Sequence, residues 1–207
     1  MTNYAKLLDA ELANIAASNT RPSLLLHACC APCSSYTLEY LTKYFEITLF
    51  FYNPNIAPKE EYDFRAEELS RFLSAHPACG GVKLSVPIYD SAPFFAIAKG
   101  LEDIPEGGER CRKCYRLRLA ETAKAARDGG YDYFCTTLSI SPYKNAPALN
   151  EIGGELAKEY GVKYLYSDFK KKGGYARSIE LSKEYDLYRQ DYCGCVYSKL
   201  EAEKRRK

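Results

Sequence analysis

The chain has 207 residues and a formal net charge of +2, and it is 46% hydrophobic and 27% charged. Those values are ordinary for a globular protein and favour one compact domain over residues 1–207. No apolar run approaches the roughly 20 residues that a bilayer crossing needs, and the N-terminus lacks the basic start and apolar middle of a signal peptide. We therefore expect a cytoplasmic protein with no membrane partner.

The order of predicted elements alternates between helices and strands. Leucines at helical spacing predict a first helix over residues 4–17, within an N-terminal extension covering residues 1–20. Five apolar segments predict strands, in the order SLLLHA, EITLFFY, VKLSVPIYD, YDYFCTTLSIS and VKYLYSDF. Helical patterns separate them, and the first of these helices is predicted to open at Ser34 or Ser35. A helix over GGYARSIELSKEYDLYR, a CGC turn and a short basic helix follow.

This alternation is typical of a parallel sheet with right-handed crossovers. It predicts an α/β fold with a Rossmann-like five-stranded parallel sheet flanked by helices, in strand order 3-2-1-4-5. Residues 90–115 are interpreted as a small helical insertion that carries a CxxC pair. In such sheets ligands bind at the carboxyl ends of the strands, where the strand order reverses. The segments ACCAPCSS and TTLSISPYKN, after the first and fourth strands, are therefore expected at the ligand crevice.

The nine cysteines are the most informative residues in the sequence. Seven fall in three tight groups, which are Cys29/Cys30/Cys33, Cys111/Cys114 and Cys193/Cys195. In a reducing compartment this grouping indicates metal or redox chemistry rather than disulfides. A single CxxC could equally be a redox dithiol, but three groups together favour metal binding.

The number of clustered thiols indicates more than one metal centre. Cys111 and Cys114 stand at i, i+3 near a helix start, with Cβ atoms roughly 5–6 Å apart on one face. Seven ligands exceed one tetrahedral zinc site. Adjacent residues in an extended chain point to opposite sides, so we expect Cys29 and Cys30 to serve different metals. One iron–sulfur cluster with four thiolates beside one mononuclear metal with about three fits this count.

Three further residues have simpler interpretations. Cys79, in the loop HPACGG, and Cys135, inside the fourth predicted strand, are expected to be ordinary small buried residues. His27, just before the first cysteine group, is expected to be a hydrogen-bonded core histidine rather than a ligand.

The motifs together are similar to those of a known family. The segments that carry the similarity are, in order, HACCAPCSS, FYNPNIAPKEEYDFR, ERCRKCYRLRL, FCTTLSISPYKN and KKGGYARSIELSKEYDLYRQDYCGC. They resemble the cobalamin-independent epoxyqueuosine reductases, the QueH family, from about Leu24 to Tyr197.

The resemblance implies a reaction and its cofactors. The epoxide of epoxyqueuosine, at the wobble position of a tRNA, would be reduced to queuosine with electrons from an external donor. The fold would be Rossmann-like of the HUP type, with a 4Fe–4S cluster and an adjacent mononuclear iron, or zinc as isolated. The implied ligands are Cys29, Cys30, Cys111, Cys114, Cys193 and Cys195. Cys33 is a seventh candidate for a position that a carboxylate can also fill in a metal site of this family.

The reaction needs proton donors and contacts to the substrate. Candidate proton donors near the predicted crevice are Tyr143, Lys144 and Asp191. The candidates for hydrogen bonds to the substrate are Asn53, Asn55, Ser139, Ser141 and Asn145. The candidates for contacts with tRNA phosphates are Lys170, Lys171, Lys172, Arg110, Arg112 and Arg116.

Other functions use the same residues differently. A non-catalytic zinc-binding and RNA-binding protein would hold a redox-inert metal with the same cysteines. A thiol–disulfide oxidoreductase would use Cys111 and Cys114 as a redox pair. An ATP-dependent tRNA-modifying enzyme of related fold would need a glycine-rich phosphate loop where this chain has CCAPCSS.

Overall fold

The structure is a computed structural model that describes residues 2–206. Its strands are β1 (Ser23–His27), β2 (Glu46–Phe50), β3 (Lys83–Ser85), β4 (Tyr133–Thr136) and β5 (Lys163–Tyr164). Its helices are α1 (Tyr4–Ala17), α2 (Ala31–Leu41), α3 (Lys59–Ala75), α4 (Ala92–Ala98), α5 (Glu109–Asp128), α6 (Ala146–Tyr160), α7 (Gly174–Glu184) and α8 (Val196–Arg206).

The five strands form one sheet in the order β3-β2-β1-β4-β5, and every neighbouring pair is parallel. The predicted fold class and strand order are confirmed. The order reverses between β1 and β4, so the crevice for a ligand lies beyond the carboxyl ends of these two strands.

All five strands are shorter than the apolar segments that predicted them, and the difference is largest for β3, β4 and β5. β3 ends at Ser85, two residues before Pro87, which has no N–H to pair with a neighbouring strand. β5 comprises only two residues. After β4 the chain turns into a short 3-10 helix, Thr137–Ile140, where the Thr136 side chain accepts a hydrogen bond from the backbone of Leu138. This turn directs the following segment, residues 141–144, toward the crevice.

Helix α2 begins earlier than predicted. Its first residue is Ala31, with Cys30 in the capping position and Pro32 in the first turn, where a missing N–H costs nothing. The chain bends at Cys29. Cys33 therefore lies in the first turn of α2, and the three cysteines stand around the N-terminus of one helix.

Both faces of the sheet are covered by helices, and the side chains of β1 alternate between two cores. Leu24 and Leu26 belong to the core that contains Leu8, Leu12 and Ile15 of α1. Leu25 packs on the opposite side, in the core that also contains residues of α5 and α6. β1 is therefore buried on both faces, as expected for a central parallel strand.

Helix α6 continues through two adjacent glycines because one of them lies against the sheet. A Cβ atom at Gly153 would come within 2.4 Å of the Tyr164 ring in β5. The absence of a side chain therefore allows α6 to approach the sheet closely, which offsets the helix-weakening effect of glycine.

The predicted insertion, residues 90–115, covers α4 and the beginning of α5. The rest of α5 packs against β1, β4, α4 and α6. The CxxC pair is therefore carried by the first turns of a long helix that is anchored on the sheet. Within residues 2–206, no helix combines the length and the apolar character needed to cross a membrane.

Candidate active site

A cavity of about 530 Å³ opens at the carboxyl edge of the sheet, beyond β1 and β4. Its lining includes residues that follow β1, residues that follow β4, and residues from α7 to α8. Four cysteines are among them, Cys29, Cys30, Cys33 and Cys193. The position is the one predicted from the strand order, and the volume suits a small molecule or one nucleoside.

The first cysteine group, Cys29, Cys30 and Cys33, is called the trio below. Its three sulfurs all lie within 4.8 Å of one another, and Cys29 Sγ is 3.6 Å from Cys30 Sγ. The prediction that Cys29 and Cys30 point to opposite sides is therefore wrong. Strand alternation no longer holds at this point, because the chain bends at Cys29 and enters α2 after Cys30.

The trio favours one thiolate. Hydrogen bonds from the Cys29 and Cys33 thiols hold the pKa of Cys30 well below its usual range, and the buried Arg65 guanidinium acts in the same direction. The N-terminus of α2 adds a further preference for negative charge. The pKa of Cys33 is shifted the other way: its hydrogen bonds with Cys29 and, to a smaller extent, with Cys30 raise it well above its usual value.

The other four clustered cysteines are called the quartet. Cys111 and Cys114 lie in the first two turns of α5, and Cys193 and Cys195 lie in the turn before α8. Cys114 and Cys195 share a small core with Phe94. Between the two C-terminal cysteines, Gly194 has φ +116, and a Cβ there would lie 3.0 Å from Ile56. The glycine in the CGC turn is thus required both by conformation and by close packing.

In the quartet, Cys114 and Cys195 are buried, and Cys111 and Cys193 are partly buried. Burial raises the pKa of Cys114 to about 12, while the neighbouring Arg118 opposes this rise. Burial also raises the pKa of Cys111 and of Cys195, and Cys193 adds to both effects. A redox CxxC pair needs the opposite, a nucleophilic thiol with a lowered pKa. These environments disfavour the thiol–disulfide oxidoreductase.

The donor set fits thiolate-bound metals. Two thiolates on a tetrahedral metal, with bonds of ~2.3 Å, lie about 3.8 Å apart. The Cys29–Cys30 sulfur separation of 3.6 Å is close to that value. In the part of the chain that the structure describes, the trio is the one group of three or more histidine, cysteine or carboxylate side chains clustered this tightly. All nine cysteines, which lie within residues 2–206, are free thiols.

A buried polar network lies at the carboxyl ends of β1 and β4, where His27 and Thr136 end these strands. Arg118 Nε donates to His27 Nε2 over 3.2 Å, and Arg118 Nη2 donates to Asn53 Oδ1 over 2.5 Å. His27 Nε2 also lies 3.1 Å from the carbonyl oxygen of Tyr52, and Nδ1 lies 2.9 Å from Thr136 Oγ1, so both ring nitrogens have polar partners. Burial, reinforced by the Arg118 charge, lowers the pKa of His27 to about 3. His27 is the neutral core histidine that the sequence predicted.

The three candidate proton donors all line the cavity. Tyr143 is 75% exposed and projects into the opening. Lys144 is buried and forms a 2.7 Å ion pair with Glu106. Burial opposes its charge, but Cys193, Tyr115 and Glu106 outweigh burial and raise the pKa of Lys144. Asp191 pairs with Arg206, which lowers the pKa of Asp191, so this side chain is a carboxylate near neutral pH.

One of the five predicted substrate-binding polar residues, Ser141, lines the cavity. Asn53 is buried and occupied with Arg118 and with the carbonyl of Ala28. Asn145 caps α6 by accepting from the backbone of Ala148. Ser139 is buried and hydrogen-bonds Phe169. Asn55 is buried, and neither its amide nitrogen nor its amide oxygen has a hydrogen-bond partner among the described residues.

The residues predicted to contact phosphate are scattered. Arg110 is 2% exposed and donates to the carbonyls of Leu101, Glu102 and Ile104, so it cannot present its guanidinium to RNA. The prediction that Arg110 contacts a tRNA phosphate is therefore wrong, because its side chain is buried. Four of the remaining five pair with carboxylates, namely Arg112, Arg116, Lys170 and Lys172. These four and Lys171 lie outside the cavity lining.

The cavity contains basic residues that sequence reasoning missed. Arg189, Arg205 and Arg206 lie on its rim, and Arg118 lies in its wall. The terminal run EKRRK and the ERCRKCYRLR segment were visible signals. What was not visible is that α8 folds back beside the crevice, and that Arg118 points inward from α5.

A Rossmann-like sheet whose ligand crevice is lined by clustered thiols defines a class of α/β proteins suited to metal or redox chemistry. The sequence profile of the family described as Epoxyqueuosine reductase QueH matches residues 24–201. The chain belongs to this family.

Individual relatives are similar in sequence to this chain over most of their length. An Epoxyqueuosine reductase QueH of Streptococcus pyogenes serotype M1 is 47% identical over 198 residues, which cover 95% of this chain and 78% of the relative. One of Staphylococcus epidermidis is 46% identical over 203 residues, covering 96% and 85%. One of Thermotoga maritima is 38% identical over 182 residues, covering 86% and 91%.

Proposed function

We propose that the chain is an epoxyqueuosine reductase that converts epoxyqueuosine, at the wobble position of a tRNA, to queuosine. The observation that carries this proposal is the cavity at the strand-order reversal, which is lined by four cysteines and lies within the region matched by the family profile. The relatives named above carry the name of this activity over the same region.

The reaction sets the chemical requirements. Conversion of the epoxide to an alkene consumes two electrons and two protons and releases the oxygen as water. The electrons come from an external reductant. The departing oxygen develops negative charge, so the site must provide positive charge or a hydrogen-bond donor next to it.

The cysteines are proposed to hold two metal centres. The trio supplies three thiolates to a mononuclear iron, or to zinc in isolated protein, and the quartet supplies four to a 4Fe–4S cluster. When bound, these groups would supply the electrons and a Lewis acid. The 3.6 Å separation of Cys29 and Cys30 favours placing both on one centre rather than dividing them.

Lys144 and Tyr143 are proposed to act on the departing oxygen. The ion pair with Glu106 holds the Lys144 ammonium at the cavity wall, where it can donate a hydrogen bond to developing negative charge. Tyr143 is exposed beside it and carries an O–H that can deliver a proton. Asp191, as a carboxylate paired with Arg206, is proposed to position the rim rather than to donate a proton.

The basic rim is proposed to bind the RNA backbone. Arg189, Arg205 and Arg206 stand at the cavity opening, so a nucleoside inserted into the cavity would bring its flanking phosphates to them. Lys170, Lys171 and Lys172 remain a second proposed phosphate contact, farther from the opening. The cavity volume of about 530 Å³ fits one extruded nucleoside rather than a helix.

The direct test is turnover on epoxyqueuosine-containing tRNA. The protein is reconstituted anaerobically with iron and sulfide, assayed with a chemical reductant, and the nucleosides are analysed by mass spectrometry. We expect queuosine to form, and Cys79→Ala, which alters a core cysteine, to behave like the wild type. Iron-loaded protein that leaves epoxyqueuosine unchanged would refute the proposal, and a colourless protein that retains only zinc would favour the non-catalytic RNA-binding function.

A further inference from the structure

In the part of the chain that the structure describes, Arg118 is a buried cation without a carboxylate partner. Its side chain is 1% exposed, and its guanidinium is always protonated in proteins. Its side-chain acceptors His27 and Asn53 are both neutral. A buried charge is unfavourable unless an opposite charge compensates it. Something other than a carboxylate must therefore compensate Arg118.

The other two fully buried arginines show what is missing. Arg65 pairs with Glu61 over 2.7 Å, and Arg110 pairs with Glu201 over 3.3 Å. Within residues 2–206, Arg118 forms no such ion pair. The three arginines are equally buried, since each is at most 2% exposed, so burial does not explain the difference in pairing.

The groups around Arg118 that can become negative are sulfurs from both cysteine groups. Cys114 precedes Arg118 by one turn on the same face of α5, and Cys29, which follows β1, and Cys193, which precedes α8, line the same cavity as Arg118. Arg118 thus stands between the trio and the quartet.

We propose that Arg118 is the counter-cation of the thiolate-bound metal centres, and that it strengthens metal binding and favours their reduced, more negative state. It acts through the ligands and is a positioning residue for charge, not a catalytic one. His27 and Asn53 hold its guanidinium by neutral hydrogen bonds, so its positive charge remains available to the sulfurs. This inference rests on the proposed metal-dependent function.

The first test measures metal affinity without any turnover. The metal-free protein is titrated anaerobically with Co²⁺, whose thiolate complexes absorb strongly, for the wild type, Arg118→Gln and Arg118→Lys. We expect Arg118→Gln to bind Co²⁺ about 10- to 100-fold more weakly, the usual effect of losing an outer-shell partner. Arg118→Lys keeps the charge and should recover part of the affinity.

The matched control is Arg127→Gln on the same helix. Arg127 is exposed and pairs with Asp128, and it lies outside the cavity lining. The Arg127→Gln substitution removes one positive charge from α5 at a position away from the cysteines. The Co²⁺ affinity of this variant should therefore equal that of the wild type. A folded Arg118→Gln protein with wild-type affinity would overturn the proposal.

A second variant decides the matter if Arg118→Gln does not fold. Asn53→Asp keeps Arg118 and nearly the same side-chain shape, but places a carboxylate where Asn53 Oδ1 now accepts from Arg118 over 2.5 Å. The new ion pair would draw the positive charge away from the sulfurs. We expect weaker Co²⁺ binding than in the wild type, and unchanged binding would contradict the role of Arg118.

The redox part is read from the midpoint potential of the iron-reconstituted protein. Loss of a buried cation should make the midpoint potential of folded Arg118→Gln more negative than that of the wild type. The potential of Arg127→Gln should equal that of the wild type. Equal potentials in Arg118→Gln and the wild type would contradict the proposed effect of Arg118 on reduction. The Co²⁺ result distinguishes this inference from the proposed function, because it requires neither reduction of the epoxide nor tRNA. Wild-type protein that binds Co²⁺ normally but never forms queuosine would refute only the function.

Discussion

The two cysteine groups are built in different ways. The trio comes from five consecutive residues at the junction of β1 and α2, and its sulfurs already lie within 4.8 Å of one another. The quartet comes from the first turns of α5 and from the turn before α8, two segments far apart in the chain. The trio is a product of local chain geometry, whereas the quartet is a product of tertiary packing.

The groups also differ electrostatically. In the trio, hydrogen bonds from Cys29 and Cys33 favour a thiolate at Cys30. In the quartet, burial raises the pKa of Cys114 to about 12, so its thiol stays protonated until a cation arrives. The trio therefore favours a thiolate through the hydrogen bonds among its own cysteines. The quartet depends on neighbouring positive groups to favour its thiolates.

Removal of the central trio thiolate should have the largest effect. Cys30→Ala deletes a proposed ligand, so activity on epoxyqueuosine tRNA should fall by more than the about 100-fold seen for outer-shell changes. Metal analysis of the purified protein should show the loss of one metal per chain. Cys135→Ala, inside β4, is the control for removing a buried sulfur, and an active Cys30→Ala protein would remove the trio from the site.

The division of ligands can be tested by absorbance. Cys195→Ala should abolish the visible absorbance of a reconstituted iron–sulfur cluster, because Cys195 belongs to the quartet. Cys29→Ala should retain most of that absorbance, because both Cys29 and Cys30 are placed on the mononuclear metal. If Cys29→Ala and Cys195→Ala lose cluster absorbance equally, the division into trio and quartet is wrong.

Assembly of the quartet should depend on Gly194. Gly194→Ala places a Cβ 3.0 Å from Ile56 and 3.1 Å from Arg65 Nη1, at φ +116. We expect the free energy of unfolding to fall by about 1–3 kcal/mol, the usual range for a strained backbone position, with weaker cluster loading. Urea denaturation gives the measurement. Gly81→Ala, where an added Cβ meets nothing within 4 Å, should have little effect by comparison.

The basic rim and the lysine run can be compared by the salt dependence of tRNA binding. Replacing both Arg205 and Arg206 with Gln should weaken binding and reduce the slope of log affinity against log salt by about one per lost phosphate contact. Lys171→Gln with Lys172→Gln should have a smaller effect, since these side chains lie outside the cavity lining. Lys124→Gln on α5 serves as the control, and an unchanged slope in the arginine double variant would remove α8 from the interface.

The smallest expected effect concerns support for α2, the helix that carries Cys33. Arg177 of α7 donates to both carboxylate oxygens of Glu39 in α2, and this lowers the pKa of Glu39. Because the folded pKa lies below the unfolded one, the stabilisation is present above the unfolded pKa of the glutamate and is lost as pH falls through the folded pKa.

Arg177→Gln should therefore lower the free energy of unfolding near neutral pH by about 0.2–1 kcal/mol. The difference from the wild type should shrink as the pH falls through the folded pKa of Glu39. Urea denaturation across that pH series is the measurement. A difference that grows in acid would show that Glu39 is not the group involved.

Sequence reasoning predicted the parallel sheet, its strand order and the position of the trio, because these follow from apolar periodicity and from the rule for open α/β sheets. It failed where a side chain's direction depends on a local bend, as at Cys29 and Cys30. It also failed where packing turns a charged residue inward. Arg110 and Asn53 were assigned to the substrate, but both are used within the protein.

The rim arginines were missed for a related reason. Their basic run was visible, but its place beside the cavity depends on how α8 returns across the molecule. No periodicity in the chain encodes that return.

Helix α5 also has a mechanical consequence. It carries Cys111, Cys114 and Arg118, and a helix is stiff, with successive residues separated by a rise of about 1.5 Å. When α5 shifts against the sheet in thermal motion, the guanidinium and these two sulfurs move together as parts of one rod. The spacing between Arg118 and the quartet's first pair is therefore insensitive to such motion, whereas its spacing from Cys29, which belongs to the sheet edge, changes with every displacement of the helix.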